Sequence, residues 1–294
     1  MDMIYWDHYY NTILALNFLV VIGLFTSLRL FSGVIAHIHA SDELLRKDNP
    51  AFGISLASTT LAVTIVLSGL VYGRPDNTVF HTVAAVAVFG VLGIGLMALT
   101  RIIFDRVTLR DVSLRDEIVG GNVAVAIADA SNILAAAIII RALMVWTTPD
   151  SVEGAIALFG GFAVSQVILT VVTWISIKIF RPGADGIGLQ DYLKQDNRAL
   201  ALRFAGKKIG TAFAIAMAAQ IVVYEVYDIV PLLAAWFVVS IVAVAVWRVL
   251  CLIAEKIILF RADVQSEVLD QKNIAIGALQ AAIYISLGIL MSSL

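Results

Sequence analysis

The chain has 294 residues, of which 61% are apolar and 14% charged, with a mean hydropathy of +0.94 and a formal net charge of −2. Soluble domains carry roughly 45–50% apolar and about 25% charged residues, so this composition excludes a water-soluble protein and predicts an integral membrane protein. The near-neutral charge argues against a nucleic-acid partner, and the single cysteine, Cys251, excludes an intrachain disulfide and a multi-cysteine metal site.

Eight continuous apolar stretches are long enough to cross a bilayer as helices, since about 20 helical residues span a hydrocarbon core of roughly 30 Å. The stretches lack the period-2 alternation of membrane strands, so we predict an all-α fold. In chain order the predicted spans are residues 12–31, 50–72, 79–103, 122–146, 154–177, 199–224, 229–253 and 273–294.

The positive charges predict the direction of these spans. Fifteen of the twenty Lys and Arg residues lie in the loops after spans 1, 3, 5 and 7 or at the adjoining helix ends. Because cations accumulate in cytoplasmic loops, both termini are predicted to lie outside the cytoplasm. The first eleven residues contain no Lys or Arg, so the first apolar segment is expected to stay in the mature protein rather than act as a cleaved signal.

A short motif recurs four times, after 73, 75 and 76 residues, with the pattern [DE]-x-[LI]-x-x-x-N-x-A-x-[AG]. Each copy opens an even-numbered span, so the repeat unit is a two-helix hairpin and all four hairpins are parallel. Hairpins taken in pairs predict two four-helix units, residues 1–147 and 148–294. The Asn of each copy is predicted to cap its helix, and a direct role at a binding site is the alternative. These residues are Asn49, Asn122, Asn197 and Asn273.

These four helix starts resemble the domain-of-unknown-function 350 family, also called the YjfL-type membrane proteins. The resemblance covers nearly the whole chain as two tandem family domains. Pro50, which follows the Asn in the first copy only, is one departure from uniformity between the copies. Some family members are encoded beside polyamine-related or membrane-stress genes, so the resemblance implies a role in transport or envelope homeostasis. A bacterial inner membrane is the expected location.

Ionisable residues inside a span are costly and are therefore candidates for a functional site. Polar residues recur at one depth in all four even spans, which predicts a shared cavity that opens to the cytoplasm and is surrounded by these spans. The predicted cavity residues are Ser55, Thr59, Asp129, Asn132, Arg203, Lys207, Lys208, Gln280 and Tyr284.

Two interpretations of these charges remain open. Asp129 and Lys207 differ in depth by about 4.5 Å along the repeat, so they could form a structural pair that joins the two halves. Alternatively, they could serve a solute or ion site. Span 6 would keep excess positive charge even after pairing, which favours an anionic solute or a lipid headgroup over a free cation.

The predicted function is a membrane transporter or channel for a small solute or ion. The alternative is a non-transporting scaffold or envelope-stress component whose charged segments, residues 105–117 and 255–270, recruit a cytoplasmic protein. The chain contains no motif for ATP hydrolysis and no second intramembrane carboxylate beside Asp129, so we expect neither an enzyme nor a cofactor or metal. The sequence is compatible with an oligomer.

Overall fold

The computed structural model describes residues 8–36, 40–71, 79–147, 151–225 and 228–293, and every regular element in these residues is helical. This confirms the all-α prediction for the described part of the chain. The predicted boundary between the two four-helix units, after residue 147, is followed by residues 148–150, which lie outside the described residues. The predicted span ends at residues 72 and 294 also lie outside them.

Long helices match the predicted apolar stretches in position. The first helices of the successive pairs are α1 (His8–Ala36), α4 (Val79–Ile103), α7 (Val152–Lys178) and α11 (Ile229–Ile258). The second helices, each of which begins just after a motif Asn, are α3 (Pro50–Val71), α6 (Val123–Trp146), α9 (Arg198–Ala216) and α13 (Ile274–Ser292). A short helix lies before each of these second helices: α2 (Ala40–Leu45), α5 (Leu114–Val119), α8 (Leu189–Lys194) and α12 (Val264–Leu269).

Six helices of the described residues are long and apolar enough to cross a membrane. They are α3, α4, α6, α7, α11 and α13. The α9 helix is not among the six because it carries Arg203, Lys207 and Lys208, and α1 contributes a shorter apolar stretch, Asn11–Leu24. The predicted span 199–224 is divided: α9 ends at Ala216, and the four-residue α10 (Ala218–Ile221) follows after Met217.

The second helices form a row in the order α3, α6, α9 and α13. The α4 helix packs against α3 and α6, and α7 packs against α11 and α6, so these helices lie beside the row. As a result α6 is the most buried span, with 89% of its most apolar window inside the protein. Apolar side chains such as Ile139, Leu143 and Leu158 fill the contacts between this helix and its neighbours.

Small residues bring neighbouring helices of the row into backbone contact. A Cβ atom added at Gly277 of α13 would lie 2.3 Å from the carbonyl oxygen of Ala199 in α9, and one added at Gly206 would lie 2.3 Å from the Cα of Ala281. Real Cβ atoms do not approach other atoms so closely. The arrangement therefore corrects the predicted central cavity: the second helices lie side by side in close contact, rather than around a common lumen.

The motif Asn residues connect successive copies of the repeat. Each Asn Oδ1 accepts a hydrogen bond from an amide in the first turn of its own helix, for example from Val125 to Asn122 at 3.0 Å. In the first three copies the amide group of the same side chain also donates to two carbonyl oxygens at the end of the next short helix. For Asn122 these acceptors belong to Leu193, at 3.0 Å, and Lys194, at 3.2 Å. Asn49 and Asn197 make the equivalent pair of contacts with α5 and α12.

The acid of the motif supports this connection in only some copies. Glu43 accepts from Asn49 at 3.0 Å and Glu267 accepts from Asn273 at 2.7 Å. In the second copy the acceptor is Glu117, one residue after the motif acid, because Asp116 bonds instead to Ser113. The residue before each Asn adopts a left-handed backbone conformation that ends the short helix; these residues are Asp48, Gly121, Asp196 and Lys272.

Acid should weaken the first of these connections. Hydrogen bonds from Lys47, at 2.6 Å, and from Asn49 hold the pKa of Glu43 below its ordinary value of 4.5. A lowered pKa in the folded state stabilises the protein above the unfolded-state value, and this contribution is lost as the pH falls through the folded-state value. We therefore expect the melting temperature to fall as the pH drops through and below this ordinary value, and to fall less in Glu43→Gln. Melting curves of the two proteins in detergent test this, and equal losses would contradict it.

Candidate functional site: two charge clusters

The first charge cluster, the Asp129 cluster, lies where α3, α4 and α6 meet. Asp129 is completely buried, and its Oδ2 atom accepts hydrogen bonds from Arg101 at 2.8 Å and from the Ser55 hydroxyl at 3.0 Å. The Arg101 side chain is 42% exposed, so it approaches the carboxylate from the protein surface. The cluster is electrically neutral, and its ion pair lowers the cost of burying the carboxylate.

A polar chain continues from this cluster toward α7. Asn132, one turn after Asp129, donates to the carbonyl oxygen of Thr100 at 3.4 Å. The Thr100 hydroxyl contacts Oε1 of Gln166 at 3.0 Å, and Gln166 donates to Thr170 at 3.3 Å. The chain thus joins α6, α4 and α7 within the apolar core.

The second charge cluster, the Glu255 cluster, lies where α9, α11 and α13 meet. Glu255 accepts a hydrogen bond from the Tyr284 hydroxyl at 2.9 Å and another from Gln280, and it forms an ion pair with Arg203 at 3.9 Å. The Lys207 amine lies 5.7 Å from the centre of the Tyr284 ring. One carboxylate therefore lies next to two cations.

A third cation increases the positive charge of this second cluster. Arg248 of α11 interacts electrostatically with Lys207, as do Arg203 and Glu255. The Nε atom of Arg203 and one terminal nitrogen of Arg248 are buried without a hydrogen-bond partner in the described residues. Buried donors normally find an acceptor, so these two N–H groups are unusual.

Lys208 belongs to neither cluster. It is 5% exposed, and its amine contacts the Thr173 hydroxyl at 3.4 Å and lies 4.0 Å from the centre of the Phe104 ring. A cation above an aromatic face is stabilised electrostatically, which lowers the cost of burying this lysine between α9 and α7.

The structure corrects the predicted pair. Asp129 pairs with Arg101, whereas Lys207 lies in the second cluster, with Tyr284 and Glu255. Among the other predicted cavity residues, Thr59 donates to the carbonyl oxygen of Ser55 within α3. The predicted residues are thus divided between the two clusters and the residues outside them, such as Thr59 and Lys208.

The two clusters occupy equivalent positions of the repeat. Ser55 and Arg203 each lie six residues after their motif Asn, and Asp129 and Gln280 each lie seven residues after theirs. In both clusters a charged residue near the end of a first helix completes the group: Arg101 of α4 and Glu255 of α11. The acid therefore lies on a second helix, α6, in the Asp129 cluster and on a first helix, α11, in the Glu255 cluster.

Sequence reasoning missed Arg101 and Glu255 as members of these clusters. In the sequence Arg101 counts only as one of the fifteen cations that indicate orientation, and Glu255 only as the first residue of the charged segment 255–270. The α11 helix extends to Ile258, five residues beyond the predicted end, so Glu255 is helical and faces α9 and α13. The polar residues six and seven positions after the motif Asn were visible in the sequence. They could have directed attention to the first helix that lies between two successive second helices.

These observations define an all-helical protein with several helices suited to cross a membrane and with internal repeats. The chain belongs to the family described as Domain of Unknown Function (DUF350), whose model matches residues 5–144, 77–219 and 150–294. The three matches overlap, and each begins about one repeat after the one before, which agrees with the fourfold motif. No curated protein and no solved structure matches the chain.

Proposed function

We propose that the protein is a bacterial inner-membrane transporter or channel for a small anionic solute or ion. In this proposal α1 and α9 complete a set of eight spans, arranged as four parallel hairpins with both termini outside the cytoplasm. The α9 helix spans despite its cations because Arg203 and Lys207 face the Glu255 cluster, and Lys208 lies over Phe104.

The observation that carries this proposal is the excess positive charge of the Glu255 cluster. Lys207 lies ten residues after Asn197, about 15 Å along α9, so its charge is held well inside the span. Three cations around one carboxylate cost far more than a structural ion pair needs. An anion would neutralise the excess and accept from the free guanidinium N–H groups of Arg203 and Arg248.

The contrast between the clusters favours the second one as the solute site. Arg101 and Asp129 balance each other in charge. Arg101 and Ser55 both donate to Oδ2 of Asp129, so its Oδ1 atom is an acceptor without a partner in the described residues. This neutral cluster fits a structural role that joins α3, α4 and α6. The Glu255 cluster keeps charge and donors that the protein itself does not satisfy.

Anion flux from proteoliposomes tests the proposal, with chloride and inorganic phosphate as the probes. Lys207→Met should reduce the flux at least tenfold, and Lys207→Arg should retain most of it, since the charge is kept. Lys178→Met is the matched control, because this lysine lies over Trp174 in the last turn of α7, away from the cluster. Equal flux in Lys207→Met and wild-type protein, or flux no greater than in empty liposomes, would contradict transport.

A cytoplasmic scaffold is the second candidate, favoured by the exposed carboxylates of Asp116 and Asp191 on the short helices. The charged segments 105–117 and 255–270 consist of helix ends, turns and six-residue helices. Glu43 and Glu267 bind motif Asn side chains, so they serve the fold. If flux is absent, capture of a soluble protein that is lost in Asp116→Asn with Asp191→Asn would favour this candidate.

A further inference from the structure

The contact between α9 and α13 uses two faces of small residues, one on each helix. Positions in each second helix are counted from its motif Asn, so that position 2 lies two residues after the Asn. The first face consists of positions 2, 9 and 13 of one helix. The second face consists of positions 4, 8 and 15 of the next helix in the row. Where α9 meets α13, Ala199 and Gly206 of the first face lie against Gly277 and Ala281 of the second. Both faces consist of small residues, which allows the backbones to touch.

The two central helices of the row have both faces buried. On α6 and α9 the first face consists of Ala124, Ser131, Ala135, Ala199, Gly206 and Gly210, all buried. The second face consists of Ala126, Ala130, Ala137, Ala201, Ala205 and Ala212, also buried. Each central helix therefore contacts one neighbour through each face.

The two end helices each leave one of these faces open. On α13 the first face, Ala275, Ala282 and Ser286, is exposed. On α3 the second face is open too, with Ala57 and Thr64 exposed and Gly53 half-buried. The open faces keep the small residues that elsewhere in the row serve helix contact, and they are complementary, since one is a first face and the other a second face.

The short helices show the same difference between the ends and the centre. The Leu or Ile of the motif is buried in copies two to four, where Ile118, Leu193 and Leu269 are at most 4% exposed. In each of these copies the short helix packs beside the second helix of the preceding copy. The corresponding Leu45 in α2 is 76% exposed. The α2 helix thus retains an apolar residue at the place where a preceding copy would cover it.

The last motif Asn completes the comparison. Asn49, Asn122 and Asn197 are buried and donate to the carbonyl oxygens of the next short helix. Asn273 is only half-buried, and its amide group donates to Glu267. An amide group has two N–H donors, so Asn273 can also bind the end of a further short helix.

We propose that a second copy of this chain docks head to tail on the row, with its α2 and α3 against α13 of the first copy. The contact uses the same two faces as α9 and α13, with residues of the size found on the faces of α6, because α13 has Ala282 and Ser286 at the positions of Gly206 and Gly210. The two backbones therefore lie further apart than those of α9 and α13. Applying the repeat once more keeps the helices parallel, so the second copy has the same orientation in the membrane. A contact of this head-to-tail type gives closed rings or extended rows rather than a twofold dimer.

Disulfide cross-linking in native membranes tests this contact. The interior pair Gly210 and Gly288 are so close that a Cβ added at Gly288 lies 3.0 Å from the Gly210 Cα. Their counterparts across the proposed interface are Ser286 of one copy and Thr64 of the next. In a Cys251→Ala background, Ser286→Cys with Thr64→Cys should give cross-linked dimers and higher species, since disulfides need Cβ atoms roughly 3.5–4.5 Å apart.

The control pair replaces Thr64→Cys with Leu61→Cys. Leu61 is exposed on the same helix one turn earlier, at a position that stays half-exposed in the interior helices, and it should not cross-link. Adding Ala282→Leu to the reactive pair should remove the cross-linked species, because the larger side chain separates the backbones. The proposal would be overturned if the control pair or Ser286→Cys alone cross-linked as well as the reactive pair. It would also be overturned if the reactive pair gave no cross-linked species.

Discussion

Replacing Arg101 with methionine is expected to destabilise the protein by roughly 3–5 kcal/mol, the range for removing one partner of a buried ion pair. The reason is that Asp129 is completely buried and would keep only the Ser55 hydroxyl as a donor to its carboxylate. Equilibrium unfolding in mixed micelles measures the change. The loss should appear as easier unfolding of the whole protein, because α3, α4 and α6 all meet at this carboxylate.

Two further variants separate the buried pair from a general effect of losing an arginine. Arg46→Met removes the same side chain from an exposed pair, in which Arg46 is 81% exposed and lies 3.4 Å from Asp42. An exposed pair of this kind contributes about 0–1 kcal/mol, so this control should differ little from wild type. Adding Asp129→Leu to Arg101→Met should recover most of the loss, since no unpaired charge remains. Equal stability of the two Arg→Met variants would contradict the role assigned to Arg101.

The repeated helix starts could be predicted from the sequence because their chemistry is local. An Asn before a run of small apolar residues can cap a helix using only the amides of the next turn, so its role needs no knowledge of distant parts of the chain. The second role of the same side chain could not be predicted. The bond from Asn122 to the carbonyl oxygens of α8 joins residues about 70 positions apart, and only the packing of the copies brings them together.

The choice of ion partners failed for a related reason. Depth along the repeat compares residues on equivalent helices, and this comparison led to Asp129 and Lys207. The true partner, Arg101, lies near the end of α4, the helix between α3 and α6 in sequence, where a long side chain can reach back into the span. A cation near a helix end satisfies the positive-inside pattern whether its side chain faces water or the core. The sequence pattern therefore could not distinguish the two orientations.

The row of second helices could have been predicted from the sequence, although we expected a cavity between these helices instead. Each second helix has small residues on two faces, for instance Ala199 and Ala201 in α9, which lie at positions 2 and 4 of the repeat. Two such faces indicate two close neighbours on different sides of the helix. Four helices connected in this way form a row, or a ring if the ends meet, and the side-by-side contacts leave no lumen between adjacent members.

Close contact within this row makes a second large effect expected, from the single methyl group that Gly277→Ala adds. The new Cβ would lie 2.3 Å from the carbonyl oxygen of Ala199, a backbone atom that cannot turn aside. The helices must separate, and overpacking of this kind costs about 1–3 kcal/mol, occasionally more. Separation would also loosen the Glu255 cluster, because Gln280 lies one turn further along α13.

Gly95→Ala is the matched control, since it makes the same substitution inside another long helix, α4. A Cβ added at Gly95 meets nothing within 4 Å, and alanine favours the helix over glycine by roughly 1 kcal/mol. The two variants should therefore change the melting temperature in opposite directions, with Gly277→Ala lower and Gly95→Ala equal or higher than wild type. If Gly277→Ala has the same melting temperature as wild type, the backbone contact between α9 and α13 cannot be as close as described. The arrangement of the second helices as a row would then lose its main support.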